Sequence, residues 1–129
     1  MTIIDEIENA IQVHCAWADR LRAAINTGSC DLTPKTAGRD NVCAFGKWLY
    51  SAAIPDDAKS LPGYQNAITS HANFHKNAAK VLELALTGKK PEALQHMDTT
   101  SEYEISSVTL TLILRGWQVD IQSTLGTPG

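Results

Sequence analysis

Residues 64–87, YQNAITSHANFHKNAAKVLELALT, place apolar and histidine side chains at regular helical spacing. The pattern advances in alternating steps of four and three residues, which is the period of one helix face. Its members are Tyr64, Ile68, His71, His75, Ala78, Leu82 and Ala85. The segment therefore predicts a long amphipathic helix whose two histidines point toward the core, and Gly88 supplies the stop.

A second long helix is predicted over residues 2–26, because the same spacing recurs there. Its stripe consists of Ile4, Ile7, Ile11, His14, Ala18, Leu21 and Ile25. His14 occupies a position that the pattern otherwise fills with apolar side chains. Gly28 is predicted to end this helix as a left-handed cap.

The remaining segments predict two further helices and one loop. Residues 29–40 read as a loop because they contain Pro34, Gly38 and small polar residues. A shorter second helix is predicted from Asp40 or Asn41 to Ala53, with a break at residues 55–57.

The last segment, residues 91–122, contains a short alternation at 108–112 that is typical of a strand. A single strand would have no partner in a helical chain, so a helix is predicted instead. This helix carries two apolar stripes. One comprises Ile105, Val108, Leu112 and Val119, and the other Leu110, Leu114, Trp117 and Ile121. Two apolar faces predict packing against the chain's own core and against a second copy.

Composition narrows the functional classes. The chain has 129 residues, a net charge of -3 and 43% hydrophobic residues, which predicts one globular domain. The charge and the lack of a basic stripe exclude nucleic acid as an expected partner. No apolar run is long enough for a membrane span, and the N-terminus does not resemble a secretory signal. Three cysteines do not form a disulfide framework, so a reducing, cytoplasmic location is expected.

Four side chains on three predicted helices form the one candidate site. His14, Cys43, His71 and His75 together are a closed ligand set for tetrahedral zinc. The histidine pair alone is a weak signal, but inward imidazoles without partners would be costly to bury. Cys43 is predicted in the first turn of the second helix, where backbone N–H groups favour a thiolate.

Simpler interpretations remain for these residues. His14 could be a hydrogen-bonded core histidine, and Cys43 a small buried apolar residue. Cys15 and Cys30 fit the second description better than Cys43 does, and His96 is expected at the surface.

Three motifs together resemble the chemoreceptor zinc-binding (CZB) domain family. They are His14-x-x-Trp17, Cys43-x-Phe45-Gly46-x-Trp48 and His71-x-x-x-His75. The resemblance spans residues 3–122 and implies an all-α four-helix bundle, with an additional short helix or long loop, that forms a symmetric homodimer. It implies Zn²⁺ held by His14, Cys43, His71 and His75. It also implies supporting roles for Trp17, Phe45, Gly46 and Trp48.

The resemblance further implies a regulatory, non-enzymatic domain that controls bacterial chemoreceptors or diguanylate cyclases through zinc occupancy. Residues 1–122 would be this domain, and residues 123–129 a tail or a shortened linker to a signalling output domain. The family also includes members proposed to sense hypochlorous acid through the zinc-bound cysteine, which is the alternative function. A hemerythrin-like di-iron bundle is a third interpretation, but such sites need inward carboxylates beside histidine.

Overall fold

Helices are the regular secondary structure of the part of the chain that the structure describes. The computed structural model describes residues 2–41 and 43–125, and no strand occurs among them. The all-α prediction is confirmed. The helices are α1 (Ile3–Thr27), α2 (Pro34–Ala37), α3 (Ala44–Leu49), α4 (Asp56–Lys59), α5 (Pro62–Leu86), α6 (Lys90–Gln95) and α7 (Glu102–Leu125).

Local signals in the sequence determine both ends of α1. Thr2 caps its N-terminus in a capping box, in which the Thr2 side chain accepts from the Asp5 N–H and the Asp5 side chain accepts from the Thr2 N–H. At the other end, Gly28 adopts φ +73° and donates its N–H to the Ala24 carbonyl oxygen. The predicted left-handed cap at Gly28 is therefore confirmed.

The core lies between the three long helices, because α5 packs against both α1 and α7 and these also contact each other. The α5–α7 contact is close at Gly63, where a Cβ atom would lie 2.7 Å from the Trp117 side chain. The Trp117 ring is fully buried, and its indole N–H donates to the Ala58 carbonyl oxygen in α4 at 3.3 Å. This packing holds α5 in a defined position relative to α7.

Both predicted apolar stripes of α7 exist, but only one is covered in the single chain. Leu110, Leu114, Trp117 and Ile121 are at most 4% exposed. The opposite stripe is 49–66% exposed and is called the α7 outer face below. It consists of Ile105, Val108, Leu112 and Val119. The helix prediction for residues 108–112 is confirmed, and the strand-like alternation reflects these two faces.

The structure shortens the predicted second helix. Instead of running from residue 40 or 41 to 53, α3 spans only Ala44–Leu49. Cys43 therefore precedes the first helical turn as the N-cap, with extended backbone at φ -76° and ψ 160°. Its Sγ accepts the Gly46 N–H at 3.3 Å, a capping role that the sequence pattern did not reveal.

Three connecting segments also differ from expectation. The predicted loop at residues 29–40 contains α2, which Pro34 begins and the Thr33 side chain caps. The predicted break after Pro55 forms the single turn α4. The segment 91–122 is divided into α6 and α7, because Ser101 caps a new helix through its hydroxyl and the Glu104 N–H.

The C-terminal part of the chain is helical beyond the predicted end of the last helix. Helix α7 continues through Leu125, and the remainder of the predicted tail, residues 126–129, lies outside the described residues. None of the helices in the described ranges combines the length and apolar character that a membrane span requires.

Candidate metal centre

Three helices bring His14, Cys43, His71 and His75 to one point. One ligand atom from each of them lies within 4.8 Å of the others. His14 comes from α1, both other histidines from α5, and Cys43 from the cap of α3. The three imidazoles are at most 3% exposed, whereas Cys43 is partly buried. The four residues singled out from the sequence therefore form one cluster.

Four of the six separations between donor atoms are close to the edges of a zinc tetrahedron. Zn–N bonds of about 2.0–2.1 Å and Zn–S bonds of about 2.3 Å give N···N edges of about 3.3 Å and N···S edges of about 3.6 Å. His71 Nε2 lies 3.1 Å from His14 Nε2 and 3.0 Å from His75 Nε2. Cys43 Sγ lies 3.4 Å from His71 Nε2 and 3.7 Å from His75 Nε2.

Backbone carbonyls orient two of the imidazoles. His14 Nδ1–H donates to the Ala10 oxygen at 2.7 Å, and His75 Nδ1–H donates to the Ala37 oxygen at 2.9 Å. A neutral imidazole that donates through Nδ1 carries a lone pair on Nε2. Both Nε2 lone pairs therefore point into the cluster, as they do in histidines that bind metals.

The surroundings of His71 show whether the cluster fits a metal ion. Its side chain is fully buried, and its Nδ1 has no hydrogen-bond partner. Its Nε2 faces the lone pairs of both His14 and His75, but one Nε2–H can donate fully to only one of them. A divalent cation at the centre removes this shortage of donors, because it accepts all three lone pairs at once. The residues present therefore fit zinc.

Burial keeps the imidazoles neutral, which is the form that binds metal. Desolvation lowers the pKa of His14 to about 4 and that of His71 to about 2. The same cause lowers the pKa of His75, against the opposing hydrogen bond to the Ala37 carbonyl. The three imidazoles are thus in their metal-binding form at neutral pH.

The position of Cys43 does not by itself produce a thiolate. Burial raises the pKa of the Cys43 thiol, and the hydrogen bond from the Gly46 N–H opposes this only in part. The backbone N–H groups at the start of α3 lower the pKa of the thiol as expected, but burial outweighs them in the metal-free chain. A bound cation supplies the missing stabilisation, because metal coordination deprotonates a thiol.

Aromatic rings surround the cluster. Phe45 contacts His14 and His71 edge-on, with ring centroids 5.8 and 5.1 Å apart. Trp17 contacts His75 at 5.8 Å. Trp48 stacks on Phe45, with ring centroids 5.8 Å apart, so it supports the ring that contacts two of the histidines.

Phe74 belongs to this frame, and sequence reasoning missed it. It is fully buried, with its ring 5.2 Å from His14 and 5.6 Å from His75. The sequence does contain a signal for Phe74, because this residue follows His71 by three positions and therefore lies on the same side of α5.

Gly46 allows the backbone of Asp40 and Asn41 to pass close to the first turn of α3. A Cβ atom at this position would lie 1.7 Å from the Asp40 carbonyl oxygen and 3.1 Å from the Asn41 Cα. The close approach at Gly46 is therefore made by the backbone of the preceding loop. The glycine thereby allows the turn that aims Cys43 at the histidines.

The other cysteines and the fourth histidine lie elsewhere. Cys15 is exposed on α1 with Thr111 Oγ1 as its neighbour at 4.0 Å, and Cys30 is partly buried beside Asp31. His96 is exposed, and its Nδ1–H donates to the Glu92 carbonyl oxygen. No carboxylate belongs to the four-residue cluster, so its donor set differs from that of a di-iron bundle.

These features define an all-α protein with a buried donor set of three histidines and one cysteine. The family model of the chemoreceptor zinc-binding domain matches residues 14–82, more than half of the chain. The chain belongs to this family, whose cofactor is zinc, and the four clustered residues are positioned to bind a metal ion. The family is a regulatory zinc-binding domain and not a known catalytic one. Searches of curated proteins and of solved structures found no match.

Replacing Gly46 with alanine should weaken metal binding. The new methyl group would overlap the Asp40 carbonyl, so the loop or the Cys43 cap must move away. We expect a loss of zinc affinity of at least about tenfold, which is the lower end of the loss seen when a residue that supports a metal ligand is mutated. Chelator competition measures it. The control is Gly116→Ala, because a Cβ there meets nothing within 4 Å; equal affinities in the two variants would contradict the role of Gly46.

Metal-free protein should lose stability as the pH falls below about 6.5. The folded-state pKa of each clustered histidine is lowered, so the unfolded chain binds more protons in this range. Each histidine contributes up to about 1.4 kcal/mol per pH unit, down to its own folded-state pKa. Urea unfolding with chelator present, between pH 7.5 and 5, tests this.

The variant His14→Leu serves as the comparison for this pH series. It removes one buried imidazole, so the slope of stability against pH should decrease. A slope that is zero in the parent chain, or the same in the variant, would contradict neutral burial of these histidines.

Proposed function

We propose that this chain is a zinc-responsive regulatory domain of bacterial signalling, with His14, Cys43, His71 and His75 as the zinc ligands. The observation that carries the proposal is the convergence of three Nε2 atoms and one Sγ in a buried cluster. Trp17, Phe45, Gly46 and Trp48 hold these ligands in place. The domain is taken to comprise residues 1–122, with 123–129 as a tail or linker.

Four protein ligands complete the tetrahedron and leave no position for a reactive water. A catalytic zinc site has three protein ligands and one open position. This argues for a structural or sensory metal and against an enzyme.

Zinc occupancy can act as a signal because its ligands come from separate elements. The metal would join α1, α3 and α5, and the Ala37 carbonyl that orients His75 adds α2. Without zinc, the thiol of Cys43 stays protonated and the lone pairs of the histidines oppose each other. We propose that zinc shifts the population from a looser to a tighter packing of these helices. The output would be chemotaxis or cyclic-di-GMP control, through a cytoplasmic chemoreceptor or diguanylate cyclase.

A symmetric homodimer through the α7 outer face is part of this proposal. Ile105, Val108, Leu112 and Val119 form an apolar stripe that the single chain leaves exposed. Grooves between α7 and its neighbours α1 and α5 run along both sides of this stripe. The helix therefore stands as a ridge that a second copy could pack against. Within each chain, α1, α5 and α7 with the shorter α3 would make up the four-helix bundle.

The purified protein should contain one zinc per chain, measured by native mass spectrometry with elemental analysis. Cys43→Ala removes a direct ligand. Since even supporting residues contribute 10- to 100-fold in affinity, we expect a loss of more than about 100-fold. Cys15→Ala, which alters an exposed thiol, is the control. A chain that takes up no zinc, or a Cys43→Ala variant with full affinity, would contradict the assigned site.

Replacing Leu112 with arginine should dissociate the dimer. The side chain is 66% exposed in the single chain, so the monomer should tolerate the change, whereas a dimer would bury two charges. We expect the dimer dissociation constant to rise by at least about tenfold. Light scattering after size exclusion measures it. Leu94→Arg, at a 47% exposed site on α6, is the control; a monomeric parent chain would refute the interface.

The second candidate function is an oxidant sensor at the same site, and the partial exposure of Cys43 favours it. Hypochlorous acid converts a thiolate to a sulfenic acid and releases chloride, with sulfur losing the two electrons that chlorine gains. Because burial raises the thiol pKa in the metal-free chain, the thiolate depends on zinc.

Oxidation of Cys43 should therefore be faster in the zinc-loaded protein than in the metal-free protein. Mass spectrometry with a sulfenic-acid probe can compare it with Cys15 and Cys30 in the same sample. Exposed Cys15 serves as the internal control, since zinc should not alter its rate. Similar rates at all three cysteines would remove the chemical basis of this function.

A further inference from the structure

A small cleft between α1 and the start of α3 reaches the metal cluster from the surface. It has a volume of about 170 Å³, and both His14 and Cys43 form part of its wall. Glu6, Val13 and Phe45 also line this cleft. This α1–α3 cleft thus connects solvent with two of the four donor residues.

The two histidines of α5 are shielded from solvent. His71 and His75 are at most 1% exposed, and Cys43 is the one member that retains partial exposure. Three larger surface grooves of the described residues touch none of the four donors. A hydrated ion that approaches the native fold therefore meets the thiol and His14 before the two histidines of α5.

Glu6, in the first turn of α1, provides a carboxylate in this cleft. Its neighbours on α1 are engaged, since Asp5 completes the capping box and Glu8 pairs with Arg115 and Gln12. Glu6 is partly buried and makes no side-chain hydrogen bond or ion pair with the described residues. Carboxylate oxygen is a zinc ligand, and an anionic cleft concentrates cations.

We propose that the α1–α3 cleft is the route by which zinc reaches and leaves its ligands, with Glu6 as a transient first ligand and Val13 limiting the width. The proposal rests on zinc binding at the four clustered residues. Glu6 would replace one water of the hydrated ion, and His14 and Cys43 would then replace further waters. Cys43 would release its thiol proton to solvent through the cleft on binding the metal.

Stopped-flow metal exchange tests the route. Val13 is 56% exposed, so Val13→Phe should fold normally while it narrows the mouth. We expect zinc uptake, and release to a chelator, to slow by the same factor, leaving the equilibrium affinity unchanged. Val13→Ala is the matched control and should slow neither rate. Unchanged rates in Val13→Phe would overturn the route.

Glu6→Gln tests the carboxylate, with Glu8→Gln as the matched loss of charge on the same helix. We expect Glu6→Gln to reduce the uptake rate by about tenfold, the lower range for a charged cleft. The effect of Glu8→Gln should be clearly smaller. Equal decreases of the uptake rate in the two variants would show that zinc uptake responds only to the overall electrostatic field of the protein. This result would overturn the role of Glu6.

A zinc-free measurement separates failure of this proposal from failure of the proposed function. In a Cys15→Ala, Cys30→Ala background, iodoacetamide should alkylate Cys43 more slowly when Val13 is replaced by phenylalanine than by alanine. Slower alkylation supports the cleft as the path to Cys43 even in a chain that fails to bind zinc. Equal alkylation rates contradict the path, whatever the metal affinity.

Discussion

The structure depends on the meeting of three buried imidazole nitrogens and one thiol at a single point. His14, His71 and His75 have almost no contact with solvent, and their Nε2 atoms face each other. Buried acceptors without donors are costly, so this arrangement would be a defect in an ordinary helical core. It becomes stabilising when a divalent cation satisfies all the lone pairs together.

Much of the surrounding fold serves to keep those donors aimed inward. Two carbonyls, from Ala10 and Ala37, fix the outer imidazoles, while His71 has no such partner. Gly46 lets the loop backbone approach closely enough to direct Cys43 into the group. Because these contacts come from different helices, a change at the metal would alter how the helices pack under the proposed function.

The long helix α7 could carry such a change outward. Its inner stripe packs through Trp117 against α4 and against α5, the helix that contributes two of the donors. Its outer face is apolar and exposed in the single chain. One helix thus joins the core that contains the cluster to the surface where a second copy would lie. If zinc passes through the narrow cleft beside Glu6, the rate of metal exchange could change while the zinc affinity stays the same.

The sequence by itself determined the long helices, their inward faces and the residues of the cluster, because helical periodicity and donor chemistry are both local properties. It also indicated both stripes of α7. Only the tertiary structure decided that Cys43 is an N-cap, that Phe74 frames the site, and that two backbone carbonyls orient the histidines. The contact of Phe74 with His14 and the Ala37 carbonyl at His75 depend on where distant segments pass one another, and no spacing along a single chain encodes that directly. The Cys43 cap and the Ala10 carbonyl act within four residues, but they depend on where α3 begins and on how the His14 ring is turned, which residue types alone do not specify.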